Sequence, residues 1–381
     1  MKLQKTQLAA AVGAALLVAG TTSVNAQNLT VQLYGQVNRA LMHADDGFRS
    51  KWFHVDGQPS STRFGIMGTS QIAPGLRAGA RIESEMKSNP SDLVSFATPS
   101  LGAVAPTGVA GGSAGTVLFA ERWLDASLEG AWGRINMGQG SGAADDASTI
   151  DLSGTGLANG NCPTDWGGSI AWQTSAGVAV AGGGAVGNTH ACNDFESRYD
   201  RLMYTTPVFG GLRAQVGFGQ RTAVGEATEA SVWYSGKLMG DFQAAIGWST
   251  VNLGTPGPAG SPDRETIGGS FSWLHTSGLN FTFSYTQVDG IGGTNAAQRD
   301  ATFWWGKVGY KFGQHAIAVD YGTTEDNLLV GDEGKQYGVG YVWNPIRWFE
   351  LYAQYRIFQL DRPAVSAEDV TIGMIGTRIR F

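Results

Sequence analysis

Two-faced β-strands, joined alternately by tight turns and by long polar segments, run through most of this 381-residue chain. In the first strand Leu29, Val31 and Leu33 alternate with Thr30 and Gln32, and this two-residue period is typical of a strand whose faces meet different surroundings. The tight turns lie at Pro74-Gly75, Ala131-Trp132-Gly133, Gly210-Gly211, Gly240-Asp241, Ser277-Gly278 and Gly313-Gln314. Because successive connections of antiparallel strands lie at opposite ends, we predict all long loops at one end and all tight turns at the other.

The number of strands follows from these connections. The long ones lie near residues 44–60, 88–117, 143–195, 222–228, 253–263, 289–299, 326–335 and 361–369. Between connections we count sixteen strands, an even number that an up-and-down barrel with both termini at one end requires. A weaker strand pair at 168–172 and 178–182 would raise the count to eighteen. The predicted fold is an all-β, antiparallel up-and-down barrel of sixteen strands, with eighteen as the alternative.

Strand length and aromatic placement favour a bilayer over a globular core. Many predicted strands have about 10 to 14 residues, whereas globular strands average about 5–6 and a tilted strand crosses a bilayer in about 9–11. Aromatic residues crowd the strand ends, as in the interfacial girdles of membrane barrels. They are Trp304, Trp305, Tyr310, Phe312, Tyr341, Trp343, Trp348, Phe349, Tyr352, Tyr355 and Phe358. A composition of 56 Gly, 12 Pro and 15% charged residues also favours strands over helices.

The first 26 residues have the features of a secretory signal peptide. Lys2 and Lys5 precede an apolar run over 8–20, and small residues at 24–26 suit a signal peptidase. Nowhere else are there about 18 consecutive apolar residues, which excludes helical membrane spans and leaves a secreted soluble protein or a membrane barrel. The net charge of −6, or −8 without the signal peptide, argues against a nucleic-acid partner. We expect the mature chain over 27–381.

The last strand carries charge on one face only. Ile375 and Ile379 share the face of the terminal Phe381, whereas Arg378 and Arg380 share the other. An arginine facing lipid at mid-bilayer would cost about 2–4 kcal/mol, so the arginine face points to water. The sequence therefore predicts a wet, partly basic barrel interior.

Four segments resemble the general porins of Gram-negative outer membranes. They are N-L-T-V-Q-L-Y-G-Q-V-N at the start, S-T-R-F-G-I-M-G in the second strand, Y-T-T-P-V-F-G-G-L at 204–212 and the terminal Phe381. The resemblance covers nearly the whole mature chain and implies a homotrimer of sixteen-stranded barrels among outer-membrane lipids, each closed at its terminal residue. It also implies that the loop after the fifth strand, here 143–195, folds inward and narrows the pore.

In that family basic wall residues oppose acidic loop residues at the pore constriction. The resemblance assigns Arg63 and Arg122 to the basic wall. Strand parity adds four further arginines, which are Arg77, Arg81, Arg134 and Arg213. Strict alternation would turn Arg122 to the other face, so its place in the wall requires a β-bulge.

The acidic side is expected at the start of the loop. Asp145, Asp146 and Asp151 follow the fifth strand directly, with Asp165 as a further candidate. We expect the first three to face Arg63, Arg81 and Arg134 across the constriction. Solvated loop carboxylates without this role are the alternative.

Cys162 and Cys192, the two cysteines of the chain, both lie in this loop. In an oxidising compartment a disulfide between them is plausible and would stabilise the fold by about 3–4 kcal/mol on a chain-entropy account. Two free thiols are the alternative.

The sequence does not indicate an enzyme. The five histidines are scattered outside any nucleophile motif or i, i+4 metal pair, at His43, His54, His190, His275 and His315. G-Q-G-S-G at 138–142 lacks the Lys-Ser/Thr of a phosphate loop. Hard carboxylate ligands cluster at 145–151, but the spacing of a calcium loop is absent. We expect no cofactor and no metal, with calcium at this loop as the alternative.

The sequence thus predicts an outer-membrane porin, a water-filled channel for passive diffusion of ions and small hydrophilic solutes. A channel selective for one solute class, aided by Trp166 and Trp172 of the long loop, is the alternative. A barrel enzyme or an adhesin is a third possibility.

Overall fold

A computed structural model of the chain describes residues 29–100, 119–192, 194–221, 225–252, 263–291 and 299–381. The predicted signal peptide lies outside the described residues and stays a prediction. The strands are β1 (Thr30–Asp45), β2 (Ser50–Asp56), β3 (Arg63–Ala73), β4 (Leu76–Glu85), β5 (Ala120–Gly130), β6 (Gly133–Ser141), β7 (Arg198–Thr205), β8 (Leu212–Gln220), β9 (Glu226–Lys237), β10 (Gly240–Asn252), β11 (Arg264–His275), β12 (Leu279–Ile291), β13 (Arg299–Phe312), β14 (His315–Glu325), β15 (Glu333–Ile346), β16 (Phe349–Arg362), β17 (Val365–Ser366) and β18 (Val370–Arg380).

Helical structure is confined to single turns. The described ranges contain one α-helix, α1 (Val186–Thr189), and 3₁₀ turns at Gln58–Ser60 and Pro163–Asp165. No helix in these ranges is long and apolar enough to cross a membrane.

Sixteen of the described strands form a closed antiparallel barrel, which confirms the predicted fold. The wall runs through β1, β3 to β16 and β18, and β18 pairs back onto β1 from Gln36 opposite Arg380 to Asp45 opposite Thr371. The terminal residue completes this seam, because the Phe381 N–H donates to the Gly35 carbonyl at 3.0 Å and the Gly35 N–H donates to the Phe381 carbonyl at 2.9 Å. The barrel therefore closes at its last residue, as the resemblance implies.

The prediction that residues 44–60 form one long connection is wrong in part. β2 lies within it and pairs with the second half of β1, whereas β3 pairs with the first half. β2 and β3 are thus two pieces of one wall strand, interrupted over 57–62 by the 3₁₀ turn that contains Pro59. Proline removes a ladder donor and favours such a break.

The alternative of eighteen wall strands, with a strand pair inside the long loop, is wrong. The segments near 168–172 and 178–182 make isolated bridges, Ala171 with Ala185 and Gln173 with Ala179. They do not join the wall. The additional strands are the piece β2 and the two-residue β17.

The two strand faces meet different surroundings, as the alternation predicts. Leu29, Val31 and Leu33 are 60–64% exposed on the outer face of β1, whereas Gln36 and Asn38 are buried inside. Exposed aromatic residues lie near the tight turns, including Phe281, Tyr310, Phe312, Tyr341 and Trp348. The predicted aromatic set is wrong for Trp305, Tyr352 and Phe358, which are buried on the inner face.

The loop 143–195, apart from residue 193, lies inside the barrel along the inner wall. Serine side chains of the wall hold its first part: Ser270 Oγ donates to the Ala147 carbonyl at 2.8 Å and accepts from the Ile150 N–H at 3.0 Å. Ser284 Oγ donates to the Ser148 carbonyl at 2.6 Å. The loop backbone thus finds partners that a strand or helix would otherwise supply.

Past residue 156 the loop packs on an apolar patch of the inner wall. Trp166, Ile170 and Trp172 from the loop are buried against inward-facing residues of β1, β2, β15, β16 and β18. These wall residues include Met42, Phe53, Val342, Tyr352, Phe358, Ile372 and Met374. The barrel therefore contains a small hydrophobic core that fixes the loop to one side of the lumen.

Gly340 provides a test of this docking. A Cβ at position 340 would lie 2.6 Å from Asn159 Oδ1 and 2.8 Å from the Ala158 Cβ. Gly340→Val should therefore displace the loop or strain the wall at a cost of about 1–3 kcal/mol. We expect lower heat stability and an altered single-channel conductance. Gly306→Val is the matched control, since a Cβ there meets nothing within 4 Å; equal effects of the two substitutions would contradict the docking.

Candidate pore constriction

One lumen cavity is lined by residues of both the loop and the wall, and we call it the central cavity. Its lining combines the wall arginines Arg63, Arg122 and Arg198 with the loop carboxylates Asp145, Asp146 and Asp151. Two of the six predicted arginines and all three predicted carboxylates therefore meet there. Positive and negative side chains therefore line one aqueous space.

Arg122 reaches this cavity through a β-bulge. In the pairing of β4 with β5, Glu83 is opposite Trp123 but Ser84 is opposite Glu121, so Arg122 is the extra residue. An extra residue lets neighbouring side chains turn to the same side of the sheet. The bulge that strand parity required for Arg122 is thus present.

A buried glutamate organises the wall arginines. Glu83 is 2% exposed, and its Oε1 lies 2.8 Å from Arg122 Nε and 3.7 Å from Arg63 Nη1. Its Oε2 accepts from Arg81 Nη2 at 2.6 Å and from the Tyr34 hydroxyl at 2.8 Å. A single carboxylate thus positions three guanidinium groups, and its one negative charge does not neutralise all three positive charges.

Glu85 gives Arg122 a second partner, with Oε2 2.8 Å from Nη1. Arg122 is therefore held by two carboxylates at once. Paired guanidinium groups of this kind lose little rotamer freedom per bond, which suits a rigid wall.

Arg198 is a cavity residue that the sequence analysis missed. Tyr199 and Arg201 of β7 are buried on the inner face, so strict parity would turn Arg198 outward. It lines the cavity because it begins the strand directly after Ser197, whose φ is 53°. A left-handed residue breaks the alternation, and parity alone offers no signal for it.

The other four predicted arginines lie elsewhere in the lumen. Arg77, Arg81, Arg134 and Arg213 line a second space nearer the tight turns, which we call the lower vestibule, together with Arg201, Asp125 and Glu129. The expectation that Arg81 and Arg134 face the loop carboxylates is therefore wrong. Arg81 instead stacks over Trp123 at 4.1 Å from the ring centre.

On the loop side, Asp151 has a cationic partner of its own. Lys307 Nζ lies 2.6 Å from Asp151 Oδ2 and also donates to the Asn159 carbonyl at 2.9 Å. Lys307, whose side chain is fully buried, was not among the predicted residues. This ion pair attaches the loop to β13 and reduces the negative charge that Asp151 presents to the cavity.

Asp145, Asp146 and Asp194 form a cluster in which one carboxylate oxygen from each lies within 4.8 Å of the others. Burial, and next the charge of Asp146, raises the pKa of Asp145 to about 6. Burial and the charges of Asp145 and Asp146 also raise the pKa of Asp194. Asp194 was missed because it lies at the far end of the loop, 48 positions from Asp146 in sequence.

The loop is closed by a disulfide between Cys162 and Cys192, whose Cα atoms are 4.5 Å apart. Of the two loop tryptophans considered for solute recognition, Trp172 is 1% exposed and donates from Nε1 to Thr189 Oγ1 at 3.0 Å. It belongs to the apolar core under the loop. A contact with a passing solute is therefore excluded for Trp172 in this conformation.

Comparison with known proteins agrees with the barrel and its inward loop. The sequence matches the family described as Gram-negative porin over residues 10–361. The chain belongs to the Gram-negative porin family. This porin is 25% identical over 352 residues to outer membrane porin protein 32 of Delftia acidovorans, covering 89% of this chain and 86% of that relative.

Solved structures share the fold. An anion-selective porin from Comamonas acidovorans has a TM-score of 0.64 at 18% identity, over 93% of this chain and 100% of the other. The trimer form of OmpT from Vibrio cholerae has a TM-score of 0.57 at 14% identity, over 93% and 100% of the two chains. The porin is thus an outer-membrane channel for small hydrophilic solutes, as predicted.

Asp165 gives a prediction about pH. It lines the central cavity, and burial, followed by the charge of Asp92, raises its pKa to about 8. An unfolded aspartate has a pKa near 3.9, so the folded chain retains a proton that the unfolded chain has lost. The associated stability is present below about pH 4 and is lost as pH rises to about 8.

Asp165→Asn should therefore raise heat stability at pH 8 and change it little at pH 4. Unfolding midpoints of purified protein across this range would measure the effect. Asp263→Asn, at an exposed aspartate before β11, serves as control. A gain of Asp165→Asn that is independent of pH would contradict the assignment.

Proposed function

We propose that the central cavity is the constriction that sets which ions and solutes pass this porin. The observation that supports it most is that Arg63, Arg122 and Arg198 line one cavity together with Asp145, Asp146 and Asp151. A transverse field between low-dielectric walls orients dipolar solutes and separates the paths of cations and anions. The loop 143–195 is the constriction loop in this proposal.

We further propose that the channel prefers anions. Five arginines line the lower vestibule with only two carboxylates, Asp125 and Glu129, and positive charge stays in excess even though Arg81 is paired with Glu83. In the central cavity Lys307 reduces the contribution of Asp151. The fold shared with a porin described as anion-selective is consistent with this sign.

A substitution of Arg198 tests both the proposed constriction and the proposed preference for anions. A unit charge about 5 Å from a permeating ion is worth about 0.8 kcal/mol in water, which is about fourfold in permeability and opposite in sign for anions and cations. Arg198→Gln should therefore lower the anion-to-cation permeability ratio by up to about sixteenfold, and screening by salt reduces this effect. Reversal potentials of single channels in a KCl gradient would measure the ratio.

The matched control is Lys237→Gln, which removes the same charge. Lys237 lies at a tight turn, where its side chain is 79% exposed and pairs with Asp241. We expect no change in permeability ratio. An unchanged ratio in Arg198→Gln, or an equal change in both variants, would count against the proposed constriction.

We propose general diffusion, without catalysis, rather than transport of one solute class. The burial of Trp172 removes an aromatic contact on which the solute-selective alternative depended. In the described part of the chain, no histidine contacts a carboxylate as a catalytic base would; His190, for example, is bonded to Thr189 and the Lys335 carbonyl. Both facts support a passive channel.

We propose that three barrels assemble as a homotrimer in the outer membrane, as in the trimer form of the OmpT structure. Three identical pores in one unit should close in three equal conductance steps. Single-channel recordings at raised voltage would resolve these steps. Isolated closures of one step per inserted unit would contradict the trimer.

A further inference from the structure

Three carboxylates of the constriction loop meet although they come from opposite ends of it. Asp145 and Asp146 follow β6, whereas Asp194 precedes β7. One ligand oxygen from each lies within 4.8 Å of the other two. Three negative charges this close repel one another unless a cation or protons are present.

A second observation points to a bound ligand. Asp145 is 7% exposed, and among the described residues its Oδ2 has no hydrogen-bond partner. Buried carboxylate oxygens in folded proteins normally have a donor, an ion or ordered water. Hydrogen bonds within the loop satisfy the other carboxylates of the cluster only in part. One of these bonds is donated by Ser148 Oγ to Asp194 Oδ1 at 2.9 Å.

The contrast with Asp151 strengthens this point. Asp151 has Lys307 at 2.6 Å. In the described chain no lysine or arginine forms an ion pair with Asp145, Asp146 or Asp194. The cluster therefore offers three carboxylate ligands and, within the described ranges, has no ion-paired side chain that would compete with a bound cation.

The number and spacing of the carboxylates indicate which cation the cluster favours. Calcium binds oxygen ligands at about 2.3–2.6 Å, so two ligands of one calcium ion are at most about 5 Å apart. Magnesium binds at about 2.0–2.1 Å, which limits the separation to about 4.2 Å. Separations within 4.8 Å are within reach of one calcium ion, and three carboxylates favour calcium because magnesium usually takes only one or two and keeps several waters.

We propose that Asp145, Asp146 and Asp194 bind one Ca²⁺ ion that ties the two ends of the constriction loop together. Asp146 is exposed to the central cavity, so water completes the coordination there. The ion turns a negative part of the cavity lining into a less negative or positive one. This inference rests on the proposed constriction only for its effect on permeation, and the binding site itself is independent of it.

Binding is tested by calorimetric titration of CaCl₂ into the purified barrel after EDTA treatment and removal of the chelator. The wild type should show saturable binding of one ion per chain. Asp146→Asn, which changes an exposed side chain, and Asp145→Asn should each weaken binding at least about tenfold, because calcium affinity follows the number of charged ligands. MgCl₂ should bind more weakly than CaCl₂.

The control is Asp165→Asn, which removes a carboxyl group of the same cavity outside the cluster. Its Ca²⁺ affinity should equal that of the wild type. All variants carry the same detergent and residual lipopolysaccharide, so differences between them report the site. The absence of saturable binding in the wild type, unchanged affinity in Asp146→Asn, or Mg²⁺ binding at least as tight as Ca²⁺ binding would overturn the proposal.

Permeation distinguishes this proposal from the proposed constriction. In a KCl gradient, Ca²⁺ should raise the anion-to-cation permeability ratio of the wild type relative to EDTA, and it should leave Asp146→Asn unchanged. Calorimetric binding without any change in selectivity would uphold the calcium site and count against the constriction. A Ca²⁺ effect on selectivity that persists in Asp146→Asn would overturn the site.

Discussion

The attachment of the loop 143–195 to one half of the inner wall is the constraint on which the rest of the lumen depends. A polar segment inside a barrel has to satisfy its backbone groups without a regular partner. Here serines of β11 and β12 supply donors and acceptors to 147–150, and the pair of Lys307 with Asp151 continues the attachment on β13. Further along, the burial of Trp166, Ile170 and Trp172 replaces hydrogen bonds with apolar contact. Because polar and apolar attachments follow each other along the loop, it lies flat against the wall and leaves the opposite side open.

Another group of inner-wall arginines is arranged around a shared carboxylate. Guanidinium groups beside one another repel, so a cluster of them requires a carboxylate that contacts several at once. Glu83 does this for Arg63, Arg81 and Arg122 while itself being buried. A substitution of Glu83 would thus disturb three arginines together, whereas loss of one arginine leaves the others supported. Glu83 is thus shared by three wall arginines, whereas the loop is held by several separate contacts.

Strand number and strand faces could be predicted from the sequence, but the arrangement of side chains inside the barrel could be predicted only in part. Alternation along β1 and β4, and the alternating connection lengths, depend on local spacing, so strand faces and strand number could be predicted without knowledge of tertiary contacts. The apolar inner patch could not, because Met42, Tyr352 and Ile372 belong to faces that a water-filled barrel should make polar. They are apolar because the loop covers them, and a contact between residues so far apart in sequence leaves no periodic signal. For the same reason Lys307 and Asp194 were not predicted from the sequence, whereas their neighbours Asp151 and Asp145 were.

The three arginines of the central cavity share a feature that explains why parity located them poorly. Arg63 follows the interruption at 57–62, Arg122 lies in the bulge of β5, and Arg198 follows Ser197 in a left-handed conformation. A regular strand directs only every second side chain into the lumen, at a spacing fixed by the pleat. Breaks in that regularity allow additional charged groups to enter at one level of the barrel. Regular strands therefore build the wall, and it is their irregularities that concentrate charge opposite the loop.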